Sequence, residues 1–285
     1  MSKRRKESTA TRWRAWEMGR AAAEGLLIRW PRLYAWLLEE LGRGDANKLL
    51  FLRVIKPGAV CFDVGANIGH YSLLFVRLAG RDGQLHAFEP VPENFARLSR
   101  VLRPWAALGQ VHLNNVAVGV RSGDVTILVP EGDPAQASLR TQSAGSWRST
   151  AEARALRCEC TTLDSYCESK QLKCVDLIKC DVEGGEFEVL RGAEDVLRSY
   201  APLLHLELSR QWTTAFGYSP EVLLGHLQGL GYGQVVVVDK DSRGRLTLEP
   251  CPSSWPAAGT LDVFCVHDGP KHEAIRAFVK DLLRR

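Results

Sequence analysis

Two short stretches of this 285-residue chain put acids and glycines at spacings that can do chemistry. The first is Phe62-Asp63-Val64-Gly65-Ala66-Asn67-Ile68-Gly69, an acid at the end of an apolar run followed by G-x-x-x-G. Glycines there permit a tight strand-to-helix turn and let a ligand approach the backbone. The pattern is not the G-x-G-x-x-G of a dinucleotide site, where a helix N-terminus receives a pyrophosphate. An anion at the turn suits a cationic ligand instead. Glu89 stands 26 residues after Asp63, at the end of the next apolar run, where a carboxylate can hydrogen-bond a ribose diol. Together they describe a pocket for a positively charged nucleoside. S-adenosylmethionine (SAM) is the candidate, with Asp63, Gly65, Asn67, Gly69 and Glu89 as its expected contacts. Asn115, beside Asn114 at the close of a third run, carries the donor and acceptor that an adenine edge needs; Asn is equally a common turn residue.

The second stretch is Val175-Asp176-Leu177-Ile178-Lys179-Cys180-Asp181-Val182-Glu183-Gly184-Gly185-Glu186. A buried parallel strand should read as a nearly continuous apolar run, yet Lys179 sits inside it. Strand period puts Lys179 and Asp181 on one face, and a lysine so placed needs a carboxylate partner. Asp181, Glu183 and Glu186 crowd the end of that strand, and Glu207 ends the next one. Methyl transfer to an alcohol gains from alignment of nucleophile and methyl, and from a group that takes the hydroxyl proton. Asp181 and Glu183, with Lys179, are the expected catalytic group. Glu186, Glu207 and Trp212 are the expected acceptor contacts. Two other readings stand beside this one: several acids holding a hard cation, or an ion network satisfied around Lys179. No metal site is assigned.

The elements that must hold these residues alternate. Strands are expected at Ala59–Asp63, Gln84–Phe88, Gln110–Asn115, Val175–Cys180 and Leu203–Leu208, with helices between them and Thr126–Val129 as an added strand. Residues 131–156 read as a loop excursion, and Phe187–Tyr200 as a helix broken near Gly192. Two late strands, Gln234–Val238 and Leu261–His267, suit an antiparallel hairpin at one edge. The expected fold is α/β, a doubly wound and mostly parallel seven-stranded sheet with ligands at the carboxyl ends of the strands.

From about Val60 to Leu208 the residues resemble the FkbM-type SAM-dependent methyltransferases. The resemblance rests on Phe62 to Ser72, on Ala87-Phe88-Glu89-Pro90-Val91-Pro92, and above all on Asp176 to Glu186, which is similar to the family's D-L-I-K-x-D-V-E-G-x-E signature. It implies a class I methyltransferase fold, SAM as donor, and O-methylation of hydroxyls on sugars, glycans or secondary metabolites. It places Asp63, Gly65 and Gly69 at the donor, Glu89 on its ribose, and Asp181, Glu183 and Glu186 at the reaction crevice. Gly185 stands where Ala is common and Cys180 where an aliphatic is common.

Charge divides the chain. The formal net charge is +4, but residues 1–48 carry eleven Lys/Arg against six Asp/Glu, and four of the eight tryptophans lie in the first 36 residues. The remainder is close to neutral, which excludes a basic nucleic-acid platform, and an acidic crevice would repel a polyphosphate. Methylation of protein or RNA, and a non-catalytic scaffold of the same fold, are the competing classes. The expected division is a basic, Trp-rich helical extension over 1–48, with the first ten residues disordered, and a methyltransferase domain over 49–285. Residues 11–41 allow two readings: tryptophans packed onto the domain as a roof, or an amphipathic helix in peripheral contact with anionic lipid. No apolar core follows the basic start, so no signal peptide is expected. The eight cysteines lack metal-ligand spacing. The expected location is the cytoplasm.

Overall fold

A computed structural model describes residues 26–42, 44–130, 137–139, 153–252 and 254–283. The expectations for residues 1–25 and for most of 131–152 lie outside the described residues. In chain order the elements are helices α1 (Pro31–Glu40) and α2 (Ala46–Val54), then β1 (Val60–Val64), α3 (His70–Ala79), β2 (Gln84–Phe88), α4 (Pro92–Ala106), β3 (Val111–Asn114) and β4 (Ala117–Val118). There follow β5 (Gly123–Pro130), β6 (Ala153–Thr161), α5 (Leu163–Ser169), β7 (Leu177–Cys180), α6 (Glu186–Arg191), α7 (Glu194–Tyr200) and β8 (Leu203–Leu208). The chain closes with α8 (Arg210–Ala215), α9 (Pro220–Gly229), β9 (Gln234–Lys240), β10 (Leu246–Pro250), β11 (Leu261–Val266) and α10 (Glu273–Leu283).

The main sheet runs β10-β9-β11-β8-β7-β1-β2-β3. Strands β3, β2, β1, β7 and β8 are mutually parallel, and β11 enters antiparallel between β8 and β9. The winding reverses between β1 and β7, so their carboxyl ends open a crevice where ligands bind in such sheets. Both strands are buried throughout, as strands covered on both faces must be. One face packs against α2, α3, α4 and α10, and the other against α5, α6, α7 and α9.

The doubly wound, mostly parallel sheet stands as expected, with differences at its margins. It has eight strands rather than seven. The extra one, β10, pairs antiparallel with the outer edge of β9, so β9 and β11 are neighbours joined through β10 and not by a simple hairpin. Its alternation, Leu246 and Leu248 inward with Thr247 and Glu249 outward, is a weak edge-strand signal ahead of two prolines. The stretch read as a loop to residue 156 ends inside β6, which forms a separate sheet with β4 and β5. Half-exposed and charged, β6 lacks the apolar run that marks central strands. Helix breakage near Gly192 is observed. A Cβ there would stand 2.1 Å from the Gly119 carbonyl oxygen, which docks the second sheet on the main fold.

Candidate active site

The two acid-glycine turns meet at the switch point. The Asp181 N–H donates to the Val64 carbonyl at 3.1 Å, extending the β1–β7 ladder one residue past the strands. Gly65, at φ +78°, has no room for a side chain, because a Cβ would lie 1.8 Å from the Asp181 carbonyl oxygen. The glycine therefore serves first to seat one turn against the other, ahead of any ligand. Gly184, at φ +102°, is crossed in the same way by the Trp212 carbonyl.

Beneath the turns runs a row of buried polar groups. Asp63, Lys179 and His205 are register partners on β1, β7 and β8. The Lys179 ammonium lies 3.2 Å from Asp181 and 3.5 Å from Asp63, with the Tyr71 ring 5.5 Å away. Ser72 donates to the other Asp63 oxygen at 2.5 Å. Burial opposes the charge on Lys179, yet the two carboxylates outweigh it and hold its pKa above the usual lysine range. Lys179 is 3% exposed, and it meets the crevice only through its contact with Asp181.

Two residues further along the strands, Asp181, Glu207 and Asp262 form a second row. Burial also opposes ionisation of Asp181, but Lys179 and a hydrogen bond from Glu207 hold its pKa below the usual carboxylate range. Burial and the neighbouring Asp181 charge push Glu207 up to about 10. The two carboxyls are thus pushed in opposite directions, Asp181 toward its ionised form and Glu207 toward its protonated form. Asp262, the register partner of Glu207 on β11, is raised by burial to about 6.

Glu89 is 4% exposed and accepts the Asn67 N–H at 2.8 Å on one oxygen and the Val91 N–H at 2.9 Å on the other. Oε1 also accepts from the Asn94 amide at 3.5 Å, which leaves the second lone pair of Oε2 open. Burial raises Glu89 to about 7.

These side chains line a cavity of about 200 Å³. Glu89, Asp181, Glu183 and Glu207 face it, Val116, Val118, Ile127 and Leu139 supply apolar wall, and Trp212 closes one side. Among the described residues that line it there is no lysine, arginine or histidine. The second sheet reaches over this site, since the Ser138 hydroxyl donates to the Glu183 carbonyl at 2.9 Å. Glu183 has a left-handed φ of 56°, a conformation costing a non-glycine residue about 1 kcal/mol.

Seven of the twelve sequence-selected residues line this cavity: Gly65, Asn67, Glu89, Asp181, Glu183, Glu207 and Trp212. Asp63 and Lys179 lie in the row beneath it, and Gly69, Asn115 and Glu186 also stand outside its lining. Asn115 spends its amide on the Glu89 and Pro90 carbonyls and braces the β2 turn. Glu186 is 1% exposed and accepts the Val182 and Gly184 N–H groups at 3.0 and 3.2 Å, with the Tyr218 hydroxyl 3.4 Å away. It shapes the acid turn from behind and is not part of the cavity lining. Trp212 lies in α8, not in a loop, and is 8% exposed.

Sequence reasoning passed over Asn47, His205 and Asp262. Asn47 reaches from α2 to His205 at 2.8 Å, and His205 lies 3.8 Å from Asp262. Burial and Lys179 push His205 down to about 3, so it is neutral. The signal was available: His205 and Asp262 interrupt apolar strands as Lys179 does.

The chain matches the model of the Methyltransferase FkbM domain over residues 63–233. It is 27% identical to the 2-O-methyltransferase NoeI of Sinorhizobium fredii over 193 residues, 64% of this chain and 78% of NoeI. It is 29% identical to the hexuronic acid methyltransferase AglP of Haloferax volcanii over 165 residues, 58% of this chain and 62% of AglP. The 31-O-demethyl-FK506 methyltransferase FkbM of Streptomyces tacrolimicus is 29% identical over 161 residues, 50% of this chain and 62% of that protein. The chain thus spans less than two thirds of the last two relatives.

Proposed function

The chain belongs to the FkbM methyltransferase family, and from that premise we propose that it transfers the methyl group of SAM to a hydroxyl of a sugar or glycan. The observation that carries the donor is the cavity's lining of four acidic side chains, Asp181 held ionised among them, with no cation among the described lining residues. Such a lining attracts a sulfonium and rejects a polyphosphate. Bound SAM supplies an electrophilic methyl carbon on a positively charged sulfur. The Glu89 carboxylate would accept from the ribose diol through the open lone pair of Oε2. Asp181, kept ionised by Lys179, would orient the acceptor hydroxyl and take its proton. That proton becomes strongly acidic as the oxygen–carbon bond forms and the carbon–sulfur bond breaks, so a carboxylate of low basicity suffices. Glu207 holds its own proton on Asp181 and fixes that carboxylate's orientation. Trp212 offers a flat apolar surface to a sugar face.

The sugar class is supported by the relative named a hexuronic acid methyltransferase, and transfer to oxygen by the one named a 2-O-methyltransferase. A cytoplasmic location is supported by eight unpaired cysteines. The methyltransferase domain is best begun ahead of Ala46 and not at residue 49, because Asn47 and Leu49 to Leu52 are buried on the sheet.

The test is incubation of cell extract with purified enzyme and deuterated-methyl SAM, read by mass spectrometry. A sugar-containing product that gains the labelled methyl is expected. No label incorporated, together with no S-adenosylhomocysteine binding by calorimetry, would sink the proposal. The donor site also has a pH signature. Glu89 must ionise to accept hydroxyls and balance the sulfonium, so SAM affinity should rise about tenfold between pH 6 and pH 8. In donor-free protein the sign is opposite, since the cost of ionising buried Glu89 builds from the usual carboxylate range up to about 7. Glu89→Gln should bind SAM weakly with a flat profile; an unchanged slope in that variant would remove Glu89 from the donor site.

A further inference from the structure

Large apolar side chains exposed singly are ordinary on a protein surface; a cluster is not. Ten such residues are exposed among those described, and five of them, Leu26, Trp30, Leu33, Trp36 and Leu41, fall within residues 26–41. The roof reading of the sequence expects these tryptophans packed on the domain. Instead Tyr34 and Ala35 make that contact, while Trp30 and Trp36 are 60% and 55% exposed on the outer side. The inner side of α1 borders a groove that extends to Ile68 and His70.

Charge selects the occupant. Arg29 and Arg32 are exposed beside the tryptophans, and the first twenty residues carry seven Lys/Arg against two Asp/Glu. Glu39 and Glu40, at the far end of α1, are paired with Arg53 and Arg245, so across two copies of this face Arg29 and Arg32 would meet their like. An anionic phospholipid surface satisfies both parts: Trp and Leu enter the interface, and the basic residues meet the headgroups. None of the described helices is long and apolar enough to span a bilayer, so the contact would be peripheral. We propose that residues 26–41 form a docking face for the surface of an anionic phospholipid bilayer.

The experiment is cosedimentation of the full chain with phosphatidylcholine vesicles, with and without added phosphatidylglycerol, at low and high salt. The expected result is pelleting on the anionic vesicles that weakens with salt. Binding should be at least about tenfold weaker for the Trp30→Ser/Trp36→Ser variant, chosen to retain the wild-type melting temperature. Should that variant melt early, Leu33→Ser provides the same comparison. Equal pelleting of variant and wild type would assign any binding to the basic segment alone and overturn the proposal. So would no pelleting, no preference for anionic vesicles, or a dimer seen by light scattering that the tryptophan substitutions abolish.

Discussion

Lys179→Met is expected to lower stability by about 3–5 kcal/mol, the range for breaking a buried ion pair by removing one partner. The substitution keeps length and apolar stem but leaves two carboxylates, Asp63 and Asp181, without the ammonium 3.5 and 3.2 Å away. Asp63 is 1% exposed and cannot turn to solvent. Its Ser72 hydrogen bond supplies a dipole where a full charge stood. The deficit should be largest near neutral pH. In the wild type, Asp181 has its pKa below the usual range, so its contribution is present above that range and is lost as pH falls through the lowered value. The variant lacks that contribution, and the two proteins should converge in acid. Lys179→Met combined with Asp63→Asn should recover part of the loss, since one uncompensated charge is then gone. Urea unfolding across pH would measure this. A Lys179→Met protein within about 1 kcal/mol of wild type at pH 7 would show that the row is not held by charge pairing.

Asp181→Asn is expected to reduce methyl transfer by about 10²–10⁴-fold, the usual worth of a positioned proton acceptor. Asparagine keeps the shape and can still meet Glu207, but it cannot take the hydroxyl proton. Glu183→Gln separates the two acids. Glu183 has its carbonyl tied to Ser138, whereas Asp181 is the acid that the Lys179 ammonium keeps ionised, so the Glu183 charge should matter less, at about tenfold or below. Single-turnover rates with saturating SAM, beside calorimetric SAM affinity, would divide chemistry from binding. If Glu183→Gln proved the more damaging of the two in rate with SAM affinity preserved, the base would be Glu183 and Asp181 a positioning anion.

Sequence pattern carried the central part of the molecule because parallel strands covered on both faces leave a plain signature. Apolar runs ending in acid and glycine located β1 and β7, and a lysine inside such a run announced its carboxylate partners before any geometry was known. The margins obey weaker rules. Strand β6 is half exposed and charged, and β10 is a short edge strand before prolines, so neither shows a central-strand run. Side-chain direction was also illegible. Glu186 and Glu183 belong to the same acidic signature, yet one caps backbone N–H groups behind the turn and the other faces the cavity. Nothing in composition distinguishes them. The Asn47–His205–Asp262 cluster joins three distant segments, and only the folded chain brings α2, β8 and β11 together.

The placement of β1 between β2 and β7 also constrains the order in which the chain can assemble. Strand β2 follows β1 closely, so that pairing closes a short loop. Register between β1 and β7 joins Asp63 to Lys179 across more than a hundred intervening residues, among them the whole of the second sheet, and such closures are slow. Until β7 docks, Asp63 has no ammonium and must stay hydrated, which keeps the centre of the sheet wet and its neighbouring edge open. The charge that the finished protein hides most completely therefore also acts as a timing device. Hydrogen exchange during refolding is expected to protect the β1 amides only together with those of β7.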